Sequence, residues 1–356
     1  MKRALIGWSR HCGSSVADAG VPRHRLEREL VLPRSFRTRF YASTGETSTT
    51  PNASKSSSTE TSPSDESRVL VDVDHQGVAR VCLNRPTKLN ALDMPMFDAV
   101  ADTALSLQKD RAIRAVILSG SGRAFSAGLD VASVLSTNPL KNSERLLTRD
   151  DVDDNNNDNK NNYSNERRSI ANLAQRVSMA WRDIPAPVVA CLHGECFGGG
   201  LQIALGADVR LATPDCRLAI MEAKWGLIPD MGASVLLREL VRIDVAKELT
   251  MTGRIVDGNE AAALGLVTRV VDDPLEQAET LVQAFLQRSP DSLAATKQLY
   301  HQTWVAPEEY SLKVETALQR KLLVSWNQMA AAGRSFGWKV PYFQRKDGTL
   351  DTEKKL

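Results

Sequence analysis

The stretch that decides the fold runs over residues 193–232 and reads HGECFGGGLQIALGADVRLATPDCRLAIMEAKWGLIPDMG. A glycine-rich turn at residues 198–200 leads into an apolar segment with helical periodicity, 201–207, and then into a short strand, 209–212. Glycines let the backbone approach a ligand closely, and the N–H groups at the start of a helix attract a negative oxygen. The turn is therefore predicted to bind an anionic oxygen atom.

Two acids stand eight residues apart in the later part of this stretch. Glu222 closes an apolar segment, and Asp230 follows after the breakers Gly226 and Pro229. A carboxylate in apolar surroundings loses hydration, which raises its pKa toward values that suit proton transfer. The pair is thus a candidate for general acid and base chemistry beside the glycine-rich turn.

Two further blocks accompany this stretch. Residues 123–130 read RAFSAGLD, and residues 84–92 read NRPTKLNAL. In content and order, the three blocks resemble the enoyl-CoA hydratase/isomerase (crotonase) superfamily, and within it the dienoyl-CoA isomerase-like members most closely. The resemblance covers roughly residues 69–343, with one insertion.

The resemblance implies an α/β fold with a crotonase-like ββα superhelix core and a C-terminal helical region. Alternating α and β patterns joined by short loops also favour a sheet with helices outside it. The core is expected over residues 68–272, the helical region over 273–345 and a tail over 346–356. In the family such a helical region covers the active site and builds trimers, so the resemblance implies a homotrimer or homohexamer.

The apolar periodicity predicts the individual elements. A hairpin is expected from strands 69–74 and 78–83, and a helix with Asp93 as its N-cap from 94–108. Further strands are expected at 115–119, 188–192, 254–256 and 266–271. Further helices are expected at 170–184, 235–240, 245–250, 258–264, 275–288, 292–303 and 307–332.

The first 42 residues have the composition of a mitochondrial transit peptide. They contain nine of the 45 Lys and Arg residues but three of the 43 Asp and Glu residues, with scattered serines and no long apolar run. Residues 39–43, RFYAS, resemble a matrix-protease cleavage site. The predicted location is the mitochondrial matrix. The alternative is a basic tail that carries no targeting signal. The C-terminal residues Lys354-Lys355-Leu356 resemble the peroxisomal signal only weakly.

Two other segments have little to bury. Residues 43–67 are rich in Ser, Thr, Pro and Asn and are expected to be a disordered linker. Residues 136–167 are expected to be a disordered insertion, since residues 150–165 consist mostly of Asp and Asn. A carboxylate metal site in this insertion would need ligands on a rigid frame, so it is not favoured.

Composition excludes several function classes. No apolar run approaches the ~18 residues of a membrane span. Without the leader, 36 Lys and Arg residues face 40 Asp and Glu residues, and this mildly acidic balance argues against nucleic-acid binding. The five cysteines lack metal-binding spacing and are expected to be buried free thiols. No motif for a metal, nicotinamide or flavin appears, so no cofactor is expected, and the CoA thioester is the substrate that the resemblance implies.

The resemblance also implies an oxyanion hole for the thioester carbonyl. The matching donors are the backbone N–H groups of Leu129 and Gly199, with Gly128 and Gly198 allowing close approach. Ordinary glycine turns are the alternative. The substrate-binding positions implied in this way are Ser126, Ala127, Gly128, Leu129, Asp130 and Gly199.

The acid positions bear on the reaction type. Hydratases of the family carry one glutamate two residues after the glycine-rich turn and a second twenty residues later. Here the first position is Gln202, which cannot usefully transfer a proton, and the second is Glu222. Members of the family with a single glutamate are Δ3,Δ2-enoyl-CoA isomerases. Dienoyl-CoA isomerases have an aspartate at the first position, a glutamate at the second and a further aspartate eight residues on, where this chain has Asp230, so two of their three acids match here and the third is an amide. Gln202 could hydrogen-bond Glu222 or a substrate, and Asp230 could instead cap the following helix.

At these positions the resemblance implies an acyl-CoA double-bond isomerase of fatty-acid β-oxidation, of the Δ3,5-Δ2,4-dienoyl-CoA or Δ3,Δ2-enoyl-CoA type. Glu222 and Asp230 would transfer protons while the oxyanion hole holds the enolate. An enoyl-CoA hydratase of unusual specificity is one alternative. A weakly catalytic relative that binds acyl-CoA or RNA is another, motivated by Gln202.

Overall fold

A computed structural model describes residues 67–136, 138–149 and 170–346 of the chain. These residues belong to a compact unit over Thr61–Leu356. The expectations for the leader, for all of the linker but its last residue, for residues 137 and 150–167 of the insertion and for residues 347–356 lie outside the described residues. They stay predictions.

A six-stranded sheet forms the centre of the described chain. Its strand order is β1-β2-β3-β4-β6-β8, in which β1 and β2 are antiparallel and all other neighbours are parallel. A separate sheet consists of β5 and β7, also parallel. The strands are β1 Val69–Val73, β2 Val78–Leu83, β3 Ala115–Gly120, β4 Val188–Leu192, β5 Glu195–Phe197, β6 Val209–Ala212, β7 Arg217–Ala219 and β8 Arg269–Val270.

Helices follow most strands and form a continuous run after β8. Two 3-10 helices, Pro86–Lys88 and Glu222–Trp225, lie in loops that lead to the site described below. The described α-helices are α1 Met94–Lys109, α2 Val131–Ser136, α3 Pro139–Leu147, α4 Leu173–Asp183, α5 Gly199–Leu205, α6 Ala233–Leu237, α7 Ile243–Thr252, α8 Gly258–Leu264, α9 Pro274–Leu286, α10 Pro290–Thr303, α11 Glu308–Leu322 and α12 Trp326–Ser335.

The central strand β4 is buried on both faces, which explains its unbroken apolar sequence VVACL. Val188, Ala190 and Leu192 belong to the main core, which includes α1 and α4. Val189 and Cys191 face a second cluster that includes α9. Since the strand ends directly before residue 193, this packing fixes where the glycine-rich stretch begins.

Several sequence predictions are confirmed. The hairpin β1–β2 pairs Val69 with Leu83, and Asp93 caps α1 by accepting a hydrogen bond from the Met96 N–H at 2.9 Å. The strand at 188–192 and the helix at 258–264 have the predicted bounds. The strand expected at 266–271 is shorter, because only Arg269–Val270 pairs with β6.

The expected insertion at 136–167 is wrong over residues 139–147, which form α3. Leu146 is buried in the main core, and this burial favours a helix despite the polar neighbours. The side chain of Asn142 donates to the Val134 carbonyl at 2.8 Å, and that of Asn172 donates to Leu147 at 3.3 Å. The start of the insertion is therefore packed against α2 and α4.

Two other element predictions are wrong. Residues 254–256 form an isolated bridge between Val256 and Leu218 rather than a strand. The helix expected over 307–332 is interrupted, because Val324 has a φ of 61° and Ser325 accepts a hydrogen bond from the Gln328 N–H at 3.3 Å as the N-cap of α12.

A buried lysine joins the C-terminal helices to the core. Lys297 on α10 donates from Nζ to Oδ2 of Asp208 at 2.7 Å and to the carbonyls of Trp181 and Ala186 at 3.1 Å. Burial lowers the pKa of Lys297, and the charge of Asp208 opposes this. The ammonium group satisfies carbonyls at the end of α4 and before β4.

A buried arginine joins the last described residues to the other end of the sheet. Arg345 is 2% exposed, and its guanidinium donates to the carbonyls of Pro185 and Asp110 at 3.0 Å. In return, the Arg345 carbonyl accepts a hydrogen bond from Nε of Arg111 at 2.9 Å. These contacts lie ahead of the amino ends of β3 and β4, opposite the candidate site.

Candidate active site

The two glycine-containing loops meet beyond the carboxyl ends of the parallel strands. The Ser126 N–H donates to the Glu195 carbonyl at 3.0 Å, and the Phe197 N–H donates to the Ser126 carbonyl at 2.9 Å. Gly128 has a φ of 85°, and a Cβ added there would lie 2.6 Å from the Phe197 oxygen and 3.4 Å from the Gly199 nitrogen. Gly128 is therefore required both by its conformation and by the close approach of the loops.

The N–H groups of Leu129 and Gly199 are both available to a ligand. Within residues 67–136, 138–149 and 170–346, neither donates to a protein acceptor. Gly199 is the first residue of α5, where N–H groups lack intrahelical partners. The structure thus brings together the two donors that the sequence predicted.

A short parallel bridge sets the direction of the Leu129 peptide. The Leu92 N–H donates to the Gly128 carbonyl at 2.8 Å, and the Asp130 N–H donates to the Leu92 carbonyl at 3.0 Å. In a parallel pair of strands, one residue can hydrogen-bond to the residues on either side of the one opposite it. The N–H of that opposite residue then points away from the pairing strand. The Leu129 N–H therefore points away from Leu92.

Asn90 supports this loop, although sequence reasoning assigned it no role of its own. The side chain is fully buried: Oδ1 accepts the Arg85 N–H at 2.8 Å, and Nδ2 donates to the carbonyls of Ser121 and Ala124 at 2.9 Å. The Asn90 carbonyl accepts from Oγ of Ser126 at 2.8 Å. Asn90 has a φ of 53°, which Asn tolerates better than most residues. The block at 84–92 could have signalled a role, but which bonds it makes depends on the fold.

Three of the predicted substrate-binding residues have contacts within the loop. Ser126 is fully buried, and Ala127 donates its N–H to the Leu89 carbonyl at 2.8 Å. Asp130 accepts from Nη1 of Arg85 at 2.8 Å. Burial alone would raise the pKa of Asp130, but the bonds from Arg85 and the Ser133 N–H lower it overall. The side chains of Ser126 and Asp130 thus hold the loop, and its backbone faces the site.

Glu222 lies beside the glycine-rich turn. The Gly198 N–H donates to the Ala219 carbonyl at 2.8 Å, which joins the turn to β7 shortly before Glu222. A Cβ added at Gly198 would lie 3.4 Å from Oε1 and 4.0 Å from Oε2 of Glu222. The carboxylate is therefore adjacent to the residue that precedes the Gly199 donor.

The environment of Glu222 favours its protonated form. Burial raises the pKa of the carboxyl, and the charge of Asp230 adds to this, while hydrogen bonds from its own backbone and from Gln202 act in the opposite direction. Oε2 of Glu222 is buried and has no hydrogen-bond partner among the described residues. An unpartnered buried oxygen is where the carboxyl can take up or release a proton.

Gln202 connects the two acidic segments. Its side chain is fully buried, Nε2 donates to Oε1 of Glu222 at 2.6 Å, and Oε1 accepts the Met231 N–H at 2.9 Å. Of the two partners considered for Gln202, Glu222 or a substrate, the structure shows the contact with Glu222. Met231 directly follows Asp230, so one amide touches Glu222 and the segment of Asp230.

Asp230 lies at the edge of the site. Partial desolvation of the carboxyl raises its pKa, but Asp230 is an exposed residue, so this change in pKa weighs less than that of Glu222. The alternative that Asp230 caps the next helix is wrong, because Gly232 is the N-cap of α6 and no side chain caps it. The two predicted acids are thus linked through Gln202, which is bonded to Glu222 and to the residue that follows Asp230.

Metal and membrane signals are absent from the part of the chain that the structure describes. There, no group of three or more His, Cys, Asp or Glu residues could hold a metal ion, and no helix has the length and apolar character to cross a bilayer. Cys191, Cys196 and Cys216 are buried free thiols, and burial raises the pKa of Cys191 and Cys216 to about 12. Such thiols are poor nucleophiles.

A family model described as enoyl-CoA hydratase/isomerase matches residues 78–326. The chain belongs to the enoyl-CoA hydratase/isomerase family. It is similar to the peroxisomal Delta(3,5)-Delta(2,4)-dienoyl-CoA isomerase of Arabidopsis thaliana, with 27% identity over 273 residues that cover 75% of this chain and 93% of that protein. It is also similar to the mitochondrial enoyl-CoA hydratase domain-containing protein 2 of Homo sapiens, with 30% identity over 233 residues, or 63% and 70% of the two chains.

Solved structures of the family have the same fold. An enoyl-CoA hydratase from Mycobacterium smegmatis matches with a TM-score of 0.65 and 26% identity, over 76% of this chain and 97% of that one. The predicted crotonase-like α/β fold is confirmed. The chain is an enzyme of the hydratase/isomerase superfamily.

Proposed function

We propose that this family member is an acyl-CoA double-bond isomerase that acts on 3-enoyl-CoA or 3,5-dienoyl-CoA esters in fatty-acid oxidation. The observation that carries the proposal is the pairing of Gln202 with Glu222. A hydratase uses one carboxyl group to orient water and another to donate a proton. Here an amide occupies one of these positions and is bonded to the remaining glutamate at 2.6 Å.

The proposed reaction begins at C2 of the acyl chain. Oε2 of Glu222 takes a proton from C2, and the electrons of the broken C–H bond form an enolate on the thioester oxygen. The N–H groups of Leu129 and Gly199 stabilise that oxyanion, and losing one such donor typically costs about 2.7–4 kcal/mol of barrier. The double bond then moves to C2–C3 as the chain is protonated further along.

The distance that the proton travels determines which acids are needed. A 3-enoyl chain is protonated at C4, two carbons from C2, so Glu222 alone can return the proton. A 3,5-dienoyl chain is protonated at C6, and the second carboxyl group, Asp230, would supply that proton. The raised pKa values of Glu222 and Asp230 support this division, because each group can then hold a proton closer to neutral pH.

Hydration of 2-enoyl-CoA is the second candidate. It is favoured by the name of the Mycobacterium smegmatis structure, an enoyl-CoA hydratase. In this reading Glu222 and Asp230 would act on the water molecule, with Gln202 as a hydrogen-bonding group. A weakly catalytic acyl-CoA-binding protein would bind these esters without turnover.

A substrate panel distinguishes these functions. The purified protein is incubated with 3-enoyl-, 3,5-dienoyl- and 2-enoyl-CoA esters, and the change in double-bond absorbance is followed. Isomerisation at least tenfold faster than hydration supports the proposal. Rapid hydration of the 2-enoyl ester with Gln202 in place would refute it, and binding without turnover would favour the third function.

We also propose that the mature protein resides in the mitochondrial matrix and assembles as a homotrimer or homohexamer. The basic leader and the mitochondrial location in the name of the human relative support the first part, whereas the Arabidopsis relative is named as peroxisomal. Exposed apolar side chains on the C-terminal region support the second, among them Trp304, Val324 and Phe336. N-terminal sequencing of the protein from isolated mitochondria tests the location, and an intact Met1 would contradict it. Light scattering tests the assembly, and a monomer would contradict it.

A further inference from the structure

The orientation of the Gln202 amide follows from its partners. The Met231 N–H can only donate, so the Gln202 atom that it contacts at 2.9 Å must be the amide oxygen. The NH2 group therefore points to Oε1 of Glu222, at 2.6 Å. Since Gln202 is fully buried, water does not compete for either contact.

This contact makes the two oxygens of Glu222 unequal. Oε1 is bonded to the amide, whereas Oε2 is buried without a partner among the described residues. A buried acceptor without a partner is unfavourable until a donor or a proton reaches it. We propose that Gln202 is a positioning residue that presents Oε2 of Glu222 to the acyl chain and ties this carboxyl group to the segment carrying Asp230.

A glutamate could not perform this role in the same way. With the Met231 N–H bonded to one oxygen of residue 202, the other oxygen would face Oε1 of Glu222, and two carboxylates need a shared proton at such a distance. The amide instead donates without titrating, so Glu222 titrates as a single group. This inference rests on the proposed isomerase function and deepens it, because one fixed base suits relocation of a proton within a chain.

Glu222 is influenced by one uncharged hydrogen-bond donor, Gln202, and by the charge of Asp230. Helix α5, which carries Gln202, contains no charged residue. The charge of Asp230 raises the pKa of Glu222. The other charged residues on its own 3-10 helix and on the adjacent α7 are Lys224, Asp244, Lys247 and Glu248.

The test uses Gln202→Met, which has a similar shape but lacks the donor and the acceptor. On the isomerised ester, kcat should fall on the order of 10- to 100-fold while KM changes less than about twofold, because the base is misplaced and binding is kept. The acidic limb of the pH–kcat profile should move to higher pH, since the lost hydrogen bond favoured the ionised form of Glu222. Wild-type kcat and an unchanged limb would overturn the proposal.

An infrared titration tests the same role without turnover. The carboxyl band of Glu222 is identified as the band that disappears in Glu222→Gln, and its midpoint is compared between wild type and Gln202→Met. An upward shift supports the positioning role even if none of the three esters is isomerised, whereas an equal midpoint refutes it. The two proposals can thus fail separately.

Two further variants complete the design. Ser178→Ala removes a buried hydroxyl that has no hydrogen-bond partner in the described structure, and it should keep the wild-type profile. If Gln202→Met does not fold, the isosteric Gln202→Glu takes its place. It should replace the single titration of Glu222 by two coupled steps, and a single unshifted step would overturn the inference.

Discussion

Replacing Glu222 with glutamine should abolish isomerisation and leave the protein at least as stable as wild type. The amide keeps the shape of the side chain but cannot accept the C2 proton. General acid–base catalysis is typically worth 10²–10⁴-fold, and a sole base with a buried, unpartnered Oε2 belongs at the upper end, so kcat should fall by about 10³-fold or more. Binding of the CoA ester should survive, because the oxyanion donors belong to the backbone.

The stability effect has a sign that depends on pH. Burial raises the pKa of Glu222 above its ordinary value of 4.5, so ionising this carboxyl costs more in the folded protein than in the unfolded chain. That cost is absent at low pH, where Glu222 is protonated in both states, and it appears as the pH rises through the folded pKa. Glu222→Gln should therefore raise the melting temperature near pH 8 and have little effect near pH 4.

The magnitude follows from the unpartnered oxygen. Leaving a buried acceptor without a partner costs about 1–3 kcal/mol, and the amide of the variant keeps part of this cost because its NH2 group also lacks a partner. A gain of about 1 kcal/mol corresponds to roughly 2 °C in a folded body of this size, because the entropy of unfolding grows with the number of ordered residues. The change in absorbance of the isomerised ester measures kcat, and calorimetry at the two pH values measures the melting temperature. A kcat within tenfold of wild type, or a melting temperature that falls at pH 8, would refute the reasoning.

Three further predictions concern other parts of the chain. Asp230→Asn should reduce kcat by about 100-fold on a 3,5-dienoyl ester and by less than tenfold on a 3-enoyl ester; equal effects in steady-state assays would remove Asp230 from the relay. Lys297→Met should leave Asp208 without its buried partner and lower the free energy of unfolding by about 3 kcal/mol, measured by urea denaturation, with an unchanged midpoint as the contrary result. Deleting residues 150–165 should alter the melting temperature by less than about 4 °C, since loop-closure entropy depends weakly on length; a larger fall would mean that they pack on the body.

The sequence predicted the large elements because their signals are local. Strand β4 is an unbroken apolar run, and Asp93 stands directly before the helix that it caps. It did not predict β5, because three residues between a glycine and a glycine-rich turn carry no periodicity. The break at Val324 was also missed, since a β-branched residue with a positive φ is unusual and is imposed by the tertiary structure.

The candidate site could also be predicted only in part. Residue types marked Glu222, Asp230 and the two glycine turns as chemical groups, and the structure brings them together. The contacts of Asn90 and the fixed direction of Gln202 could not be derived, because each depends on backbone groups far away in the sequence, such as the Ala124 carbonyl and the Met231 N–H. Polar side chains that act through distant peptide groups are invisible to local patterns.

The buried guanidinium of Arg345 has a consequence for how the protein is made. It closes the fold by binding peptide carbonyls more than 150 positions earlier, at Asp110 and Pro185. A nascent chain therefore cannot complete its native structure while these last residues are still inside the ribosome, and any stop codon shortly before position 345 would release a body with exposed carbonyls at the entry to two strands. Such truncated products should be substrates for chaperones and proteases even though every residue of the candidate active site is present.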